Sequence, residues 1–295
     1  MAVAPKSAQP KGGLFKMDHS LGQNILRSKV VVKNIVDAGE PRPGDKILEI
    51  GPGNGNMTEE MLSREGIEVI AIEKDQRMCV ELKKKFPRHP NLRIINADVL
   101  SVDLPEFDLC ISNIPYNISS AIVFKLLARP TFRRTVLMVQ KEFGERIVAR
   151  PGKDGWGRLA INTQLYASVK LVMNVSRKNF VPPPKVDSVV VSIQPREVQP
   201  DIDFNEWDGL IKLCFTRPNR TLQATFHKKK IRALLNENRE KYLSSINQQA
   251  TMPIEELIEY VLGTTVLAQS RPMELDIEDF LNLLKEFNNG GVHFQ

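Results

Sequence analysis

Lys46-Ile-Leu-Glu-Ile50 is a short, mostly apolar run followed at once by Gly51-Pro-Gly-Asn-Gly55, and a helical pattern opens over Met57 to Ser63. Strand, glycine loop and helix in direct succession form the nucleotide-binding entry of a doubly wound α/β sheet, and few other folds accommodate them. The glycines let backbone approach a ligand closely. A dinucleotide fingerprint would place its third glycine at position 56, which holds Asn56. The G-x-G-x-G spacing favours a ligand without a pyrophosphate.

Three further runs extend the sheet. Glu68 to Glu73 reads as a second strand ending in an acid about 20 residues past the loop, where a carboxylate can take two hydrogen bonds from a ribose diol. Leu92 to Ala97 reads as a third and runs into Asp98, and Phe107 to Ser112 reads as a fourth and runs into Asn113-Ile-Pro-Tyr116. One polar residue at a strand end is usually a helix cap. Four consecutive strands that each deliver a glycine loop or a polar group to the carboxyl edge point to a ligand site, since open α/β sheets bind ligands there.

Asn113-Ile-Pro-Tyr116 carries the chemistry. Ile114 precedes a proline, so its backbone is held extended and its carbonyl can accept from a ligand. Pro115 stiffens the turn, and Tyr116 offers a π face for a base. An amide, a carbonyl and an aromatic plate together suit a flat, conjugated amino group under attack on a small electrophile. The same four residues also occur as an ordinary turn with a core tyrosine.

Beyond this unit, Ser28 caps a helix through Val36, which Gly39 and Pro41 end. A fifth strand is expected over Thr135 to Val139, with helices over Glu142 to Ala149 and Leu159 to Ala167. Val169 to Val175 and Val186 to Ile193 read as a hairpin at the sheet's edge. The glycine-rich stretch 151–157 reads as a surface connection or a mobile substrate loop. After Pro195 the texture changes: Ile254, Leu257, Ile258, Val261 and Leu262 follow helical spacing, as do Ile277, Phe280, Leu281, Leu284 and Phe287. The expected plan is a basic arm over 1–17, an α/β catalytic domain over 18–195 and a small all-α domain over 196–295.

A net charge of +6 permits an anionic partner without requiring one. Local clusters say more. Lys83-Lys-Lys85 reads as a solvated helix end. Arg217, Arg220, Lys228, Lys229 and Lys230, in a helical region with few neighbouring acids, read either as phosphate contacts or as solvated surface. Three dispersed cysteines imply a reduced intracellular compartment, and neither they nor four scattered histidines have metal-ligand spacing, so no metal is expected. Residues 1–16 lack the apolar stretch of a signal peptide, and no run is long enough to span a membrane.

Leu48-Glu-Ile-Gly-Pro-Gly-Asn-Gly55, Glu73, Asp98 and Asn113-Ile-Pro-Tyr116 resemble the S-adenosylmethionine site and target-amine motif of Rossmann-like methyltransferases. Gly22-Gln-Asn-Ile-Leu26 and Asn179-Phe-Val-Pro-Pro-Pro-Lys-Val186 narrow the resemblance to the small-subunit rRNA adenine dimethyltransferases, the Dim1 and KsgA family. Asn205 to Leu210, Asp276 to Phe280 and Gly291 to Phe294 fit its eukaryotic nucleolar branch. Ile114 stands where the family more often has leucine, an exchange the backbone carbonyl should tolerate.

The resemblance implies an S-adenosylmethionine-dependent enzyme that dimethylates N6 of two adjacent adenosines near the 3′ end of 18S rRNA. It would act as a monomer in a nucleolar pre-ribosomal particle, with a role in pre-rRNA processing. Gly51 and Gly53 would face the cofactor's methionine part, Glu73 its ribose and Asp98 its adenine, with Asn24 and Leu26 covering it and Asn113 at the junction. Asn113, Ile114, Pro115 and Tyr116 would hold the target adenine, with Phe180 closing its other face. A DNA adenine methyltransferase or a protein-glutamine methyltransferase would share the amine clamp but not the 179–186 motif or the helical annex. An assembly factor for which catalysis is dispensable would share every feature.

Overall fold

The computed structural model describes residues 25–294. Its strands are β1 (Ile25–Leu26), β2 (Lys46–Ile50), β3 (Glu68–Glu73), β4 (Leu92–Asn96), β5 (Leu109–Asn113), β6 (Arg134–Gln140), β7 (Ala167–Val175), β8 (Phe180–Val181) and β9 (Ser188–Pro195). Six helices accompany them: α1 (Lys29–Ala38), α2 (Asn56–Leu62), α3 (Gln76–Lys85), α4 (Ser119–Leu127), α5 (Lys141–Ile147) and α6 (Arg158–Tyr166). Five more follow: α7 (Phe204–Cys214), α8 (Leu222–Phe226), α9 (Lys229–Ser245), α10 (Ile254–Thr264) and α11 (Ile277–Asn289).

Seven strands form one sheet in the order β4-β3-β2-β5-β6-β9-β7. The first five run parallel, and β9 lies antiparallel to both β6 and β7. The hairpin expected from the sequence is therefore present, as β7 and β9. Strand alternation divides the core between the two faces. Ile47, Leu109, Ile111 and Met138 join α1 and α2 residues such as Ile35 and Met61 on one face. Leu48, Cys110, Leu137 and Val139 join Ile122 and Val123 of α4 on the other. With both faces covered, the central strands read as continuous apolar runs rather than alternating ones.

Local rules account for the element ends. Ser28 Oγ accepts from the Val31 amide at 3.4 Å, and α1 continues to Ala38, two residues past the expected stop. Arg133, beside the start of β6, grips Asp45 through two parallel hydrogen bonds of 3.0 and 2.7 Å, and Arg134 pairs with Glu40. These arginines tie strand ends together.

The helices from α7 onward pack around Trp207, Phe226, Phe280 and Phe287, and this core extends into the sheet unit through Trp156, Ala160, Ile161 and Leu165. Trp156 Nε1 donates to the Leu275 carbonyl at 2.9 Å, and the Gly152 amide donates to the Met273 carbonyl at 2.7 Å. The 151–157 stretch is thereby fixed against the C-terminal helices, with Trp156 only 4% exposed. It is not a free substrate loop, because its tryptophan is core. Among the described residues no helix is long and apolar enough to cross a membrane.

Candidate active site

The site begins where two parallel strands part. β2 stays paired with β3 up to Ile50 and Ile72, but with β5 only at Ile47–Leu109 and Leu48–Cys110. Beyond that point the Ile50 amide donates to the buried Ser112 hydroxyl at 2.8 Å. β2 and β5 flank the point where the chain's winding reverses, and open α/β sheets bind ligands in the crevice this creates. A cavity of about 510 Å³ opens there. Its wall includes Leu26, Glu49, Gly51, Gly53, Glu73, Asp98, Asn113, Ile114, Pro115 and Tyr116.

The glycine loop takes the form its sequence requires. Gly51, Gly53 and Gly55 have φ of +67°, +56° and +74°, the left-handed region that glycine enters without steric cost. A Cβ on Gly55 would lie 2.7 Å from the Leu82 side chain of α3 and 2.9 Å from the Phe86 ring just past it, so both would have to shift to admit one. Glu73, at the end of β3, turns back under the loop. Its carboxylate accepts from the Gly53 amide at 3.3 Å and the Asp75 amide at 2.8 Å. Burial raises its pKa, and the two amides oppose that shift by favouring the ionised form.

Two residues with no site signal in the sequence complete the loop. Asn56, in place of a third glycine, donates from Nδ2 to the Leu26 carbonyl at 2.8 Å and so holds β1 beside the cavity. Lys85 is not a solvated helix end: it reaches the Gly55 carbonyl at 3.2 Å and Glu59 at 2.7 Å. Local spacing cannot announce either partnership, because each spans 26–30 residues of chain.

At the cavity's other wall, Asp98 accepts from the Leu100 amide at 3.0 Å and pairs with Lys74 at 2.9 Å. The Lys74 ammonium holds the Asp98 carboxyl below its ordinary range. Asn113 ends β5 in register with Met138 of β6. Pro115 packs against the glycine loop, 3.7 Å from where a Gly51 Cβ would be. The Tyr116 hydroxyl is hydrogen-bonded to the buried Ser188 hydroxyl at 2.7 Å, which anchors the far edge of the ring.

Phe180 is placed differently from expectation. It is 1% exposed and belongs to the core cluster of Leu26, Ile35, Met138 and Val190, and it is absent from the cavity wall. Its strand β8 pairs with β1, Phe180 opposite Leu26, and that pairing turns the ring into the core. Asn24 lies outside the described residues. Arg217, half-buried, and Arg220, Lys228, Lys229 and Lys230, exposed, are well away in sequence on the helical part. Lys228 to Lys230 occupy the start of α9, whose first turn holds no acid. No group of His, Cys, Asp or Glu among the described residues is arranged to hold a metal.

A glycine loop, a buried carboxylate at the next strand's end and an amide–proline–aromatic rim thus share one cavity on a Rossmann-like sheet. That set defines an S-adenosylmethionine-dependent methyltransferase, and the cavity's donors and acceptors fit that cofactor. The model of the ribosomal RNA adenine dimethylase family matches residues 14–262. A dimethyladenosine transferase of Yarrowia lipolytica is 43% identical over 97% of this chain and 93% of its own. The crystal structure of a dimethyladenosine transferase from Plasmodium falciparum superposes with a TM-score of 0.87 at 39% identity, covering 92% of this chain and all of that one. That of the 23S rRNA methyltransferase ErmE gives 0.63 at 28% identity, covering 90% and 100%. The chain belongs to the ribosomal RNA adenine dimethylases, and its reaction is N6 dimethylation of adenine in rRNA with S-adenosylmethionine.

Proposed function

We propose that the chain dimethylates two adjacent adenosines near the 3′ end of 18S rRNA, working as a monomer in a nucleolar pre-ribosomal particle and contributing to pre-rRNA processing. The observation that carries the reading is the shared cavity: the Asn113–Tyr116 rim borders the same space as the glycine loop and Glu73. The cofactor, when bound, supplies an electrophilic methyl group. Glu73 would hold its ribose, Asp98 its adenine, and the loop at Gly51 and Gly53 its methionine part, under Leu26.

The target's exocyclic nitrogen needs positioning more than a base, because the cation it becomes loses its proton readily to solvent. The Asn113 side-chain oxygen and the Ile114 carbonyl would accept the amino hydrogens and stabilise charge growing on nitrogen. Tyr116 would stack on the base, contributing about 1–3 kcal/mol, with its ring already anchored through Ser188. An adenine inside an RNA helix is unreachable, so the target must be single-stranded or flipped out. Mass spectrometry of 18S rRNA with and without the protein tests the reading. Dimethyladenosine at the 3′ end should disappear with the protein, and its persistence would overturn the assignment.

Glu73→Ala is expected to weaken S-adenosylmethionine binding by about 1.5–3 kcal/mol, or roughly ten- to a hundredfold. Calorimetry showing wild-type affinity would remove Glu73 from the ribose site. Changing Lys228, Lys229 and Lys230 together to glutamine should weaken RNA binding. Its salt dependence should also flatten, by about 0.7–0.9 log units for each phosphate no longer neutralised. Cofactor affinity should be unchanged. An unaltered salt slope would make the cluster ordinary surface.

A further inference from the structure

Glu49 is the most buried carboxyl at the cavity wall, 2% exposed, on β2 immediately before the glycine loop. It accepts from the Thr58 hydroxyl of α2 at 2.5 Å, and the Thr58 amide adds a weaker pull. Thr58 is thus its support, and among the described residues no charged group donates a hydrogen bond to it. A buried carboxylate facing a cavity with so little compensation is costly unless it carries a proton or meets a cation.

Among the described residues the one cation that acts on Glu49 is Lys85 of α3, at a distance and without a hydrogen bond. From β3 it faces the second carboxyl, Glu73, and from β5 the buried thiol of Cys110. The nearest ammonium, Lys85 of α3, is already committed to Glu59 and the glycine-loop carbonyls. Farther along the wall, Lys74 is paired with Asp98. Two buried acids sharing one cavity resist ionising together. Of the two, Glu73 is the less buried and has the Gly53 and Asp75 amides to favour its charged form, while Glu49 has only Thr58 and the more distant Lys85 charge. Of the two carboxyls, Glu49 is therefore the one that holds a proton.

We propose that Glu49 is protonated in the unliganded protein and releases that proton to solvent when the cationic methionyl part of S-adenosylmethionine enters beside it. The inference rests on the cofactor reading of the cavity. The α-ammonium and sulfonium supply positive charge not already paired, as Lys74 and Lys85 of the wall are, and a cation nearby lowers a carboxyl's pKa. Burial, with Glu73 adding to it, pushes the Glu49 carboxyl up to about 8 in the free chain. A group that binds its proton only in the free state makes ligand affinity rise with pH until that free-state value is passed. Cofactor affinity should therefore climb by up to about tenfold per pH unit below this value, and the gain should end at about pH 8, where the cofactor's own α-ammonium begins to lose its proton.

The test is titration calorimetry of the full chain with S-adenosylmethionine near neutral pH, in two buffers of different ionisation enthalpy. The apparent enthalpies should differ by an amount corresponding to about one proton released per cofactor bound. Glu49→Gln, which keeps an acceptor for the Thr58 hydroxyl, should abolish the difference. A buffer-independent enthalpy in the wild type overturns the proposal, and so does an unchanged proton count in the variant. Absence of any binding by the wild type would instead overturn the cofactor reading itself. If the variant does not fold, difference infrared spectroscopy of the wild type decides: the protonated-carboxyl band should be lost on cofactor addition, and its persistence rules the proposal out.

Discussion

Asn113→Ala is expected to lower single-turnover methylation of an unmodified small-subunit particle by about a hundredfold or more, the usual cost of losing one preorganised hydrogen-bond partner at a reacting centre. The backbone of Asn113 is held in β5 by its pairing with β6, so truncating the side chain should leave strand and cavity in place. RNA binding should persist through the basic helical surface. Cofactor affinity should fall only modestly, because Glu73 and the glycine loop are untouched. Both methyl additions should suffer, since the same acceptor orients the amine and the monomethylamine. Resolving mono- and dimethyladenosine in the products checks this, and wild-type rates would reduce Asn113-Ile-Pro-Tyr116 to a turn.

Phe180→Ala should act on the fold. A phenylalanine truncated in a packed core typically costs about 3–5 kcal/mol, and Phe180 is 1% exposed in such a core. Denaturant unfolding should show that loss directly. Phe180→Leu, which keeps most of the apolar volume, should recover much of the stability and the turnover with it. A leucine variant that is stable yet inactive would return Phe180 to the target base, where only a ring could stack.

The contrast between these residues shows what the sequence makes legible. β2, β3, β4 and β5 are short runs that lead into glycine or a polar residue, and that local pattern locates both the sheet and the edge where Glu73, Asp98 and Asn113 gather. Strand ends need only a count of residues. Phe180 is illegible by comparison, because the direction of its ring depends on pairing with Leu26, far back in the chain. Asn56 and Lys85 are hidden for a similar reason: each acts through a partner brought near only by the folded sheet. The glycines of 151–157 suggest mobility, yet Trp156 anchors the stretch to Leu275, more than a hundred residues later. Family resemblance supplies residue roles but not burial.

That anchoring has a consequence for how the chain is made. At about 5–20 residues per second, the ribosome completes the sheet roughly 5–20 s before α11 has been synthesised. Throughout that interval Trp156, Ile161 and Leu165 lack Phe280 and Phe287 of their shared core, and at its start they lack Trp207 as well. A nascent chain carrying a finished nucleotide fold would thus display a bare apolar strip, the kind of surface that chaperones hold and that drives aggregation when they do not. Stalling translation between β9 and α7 should therefore trap a species rich in native sheet yet sticky, whereas release of the full chain should convert it to one that is not.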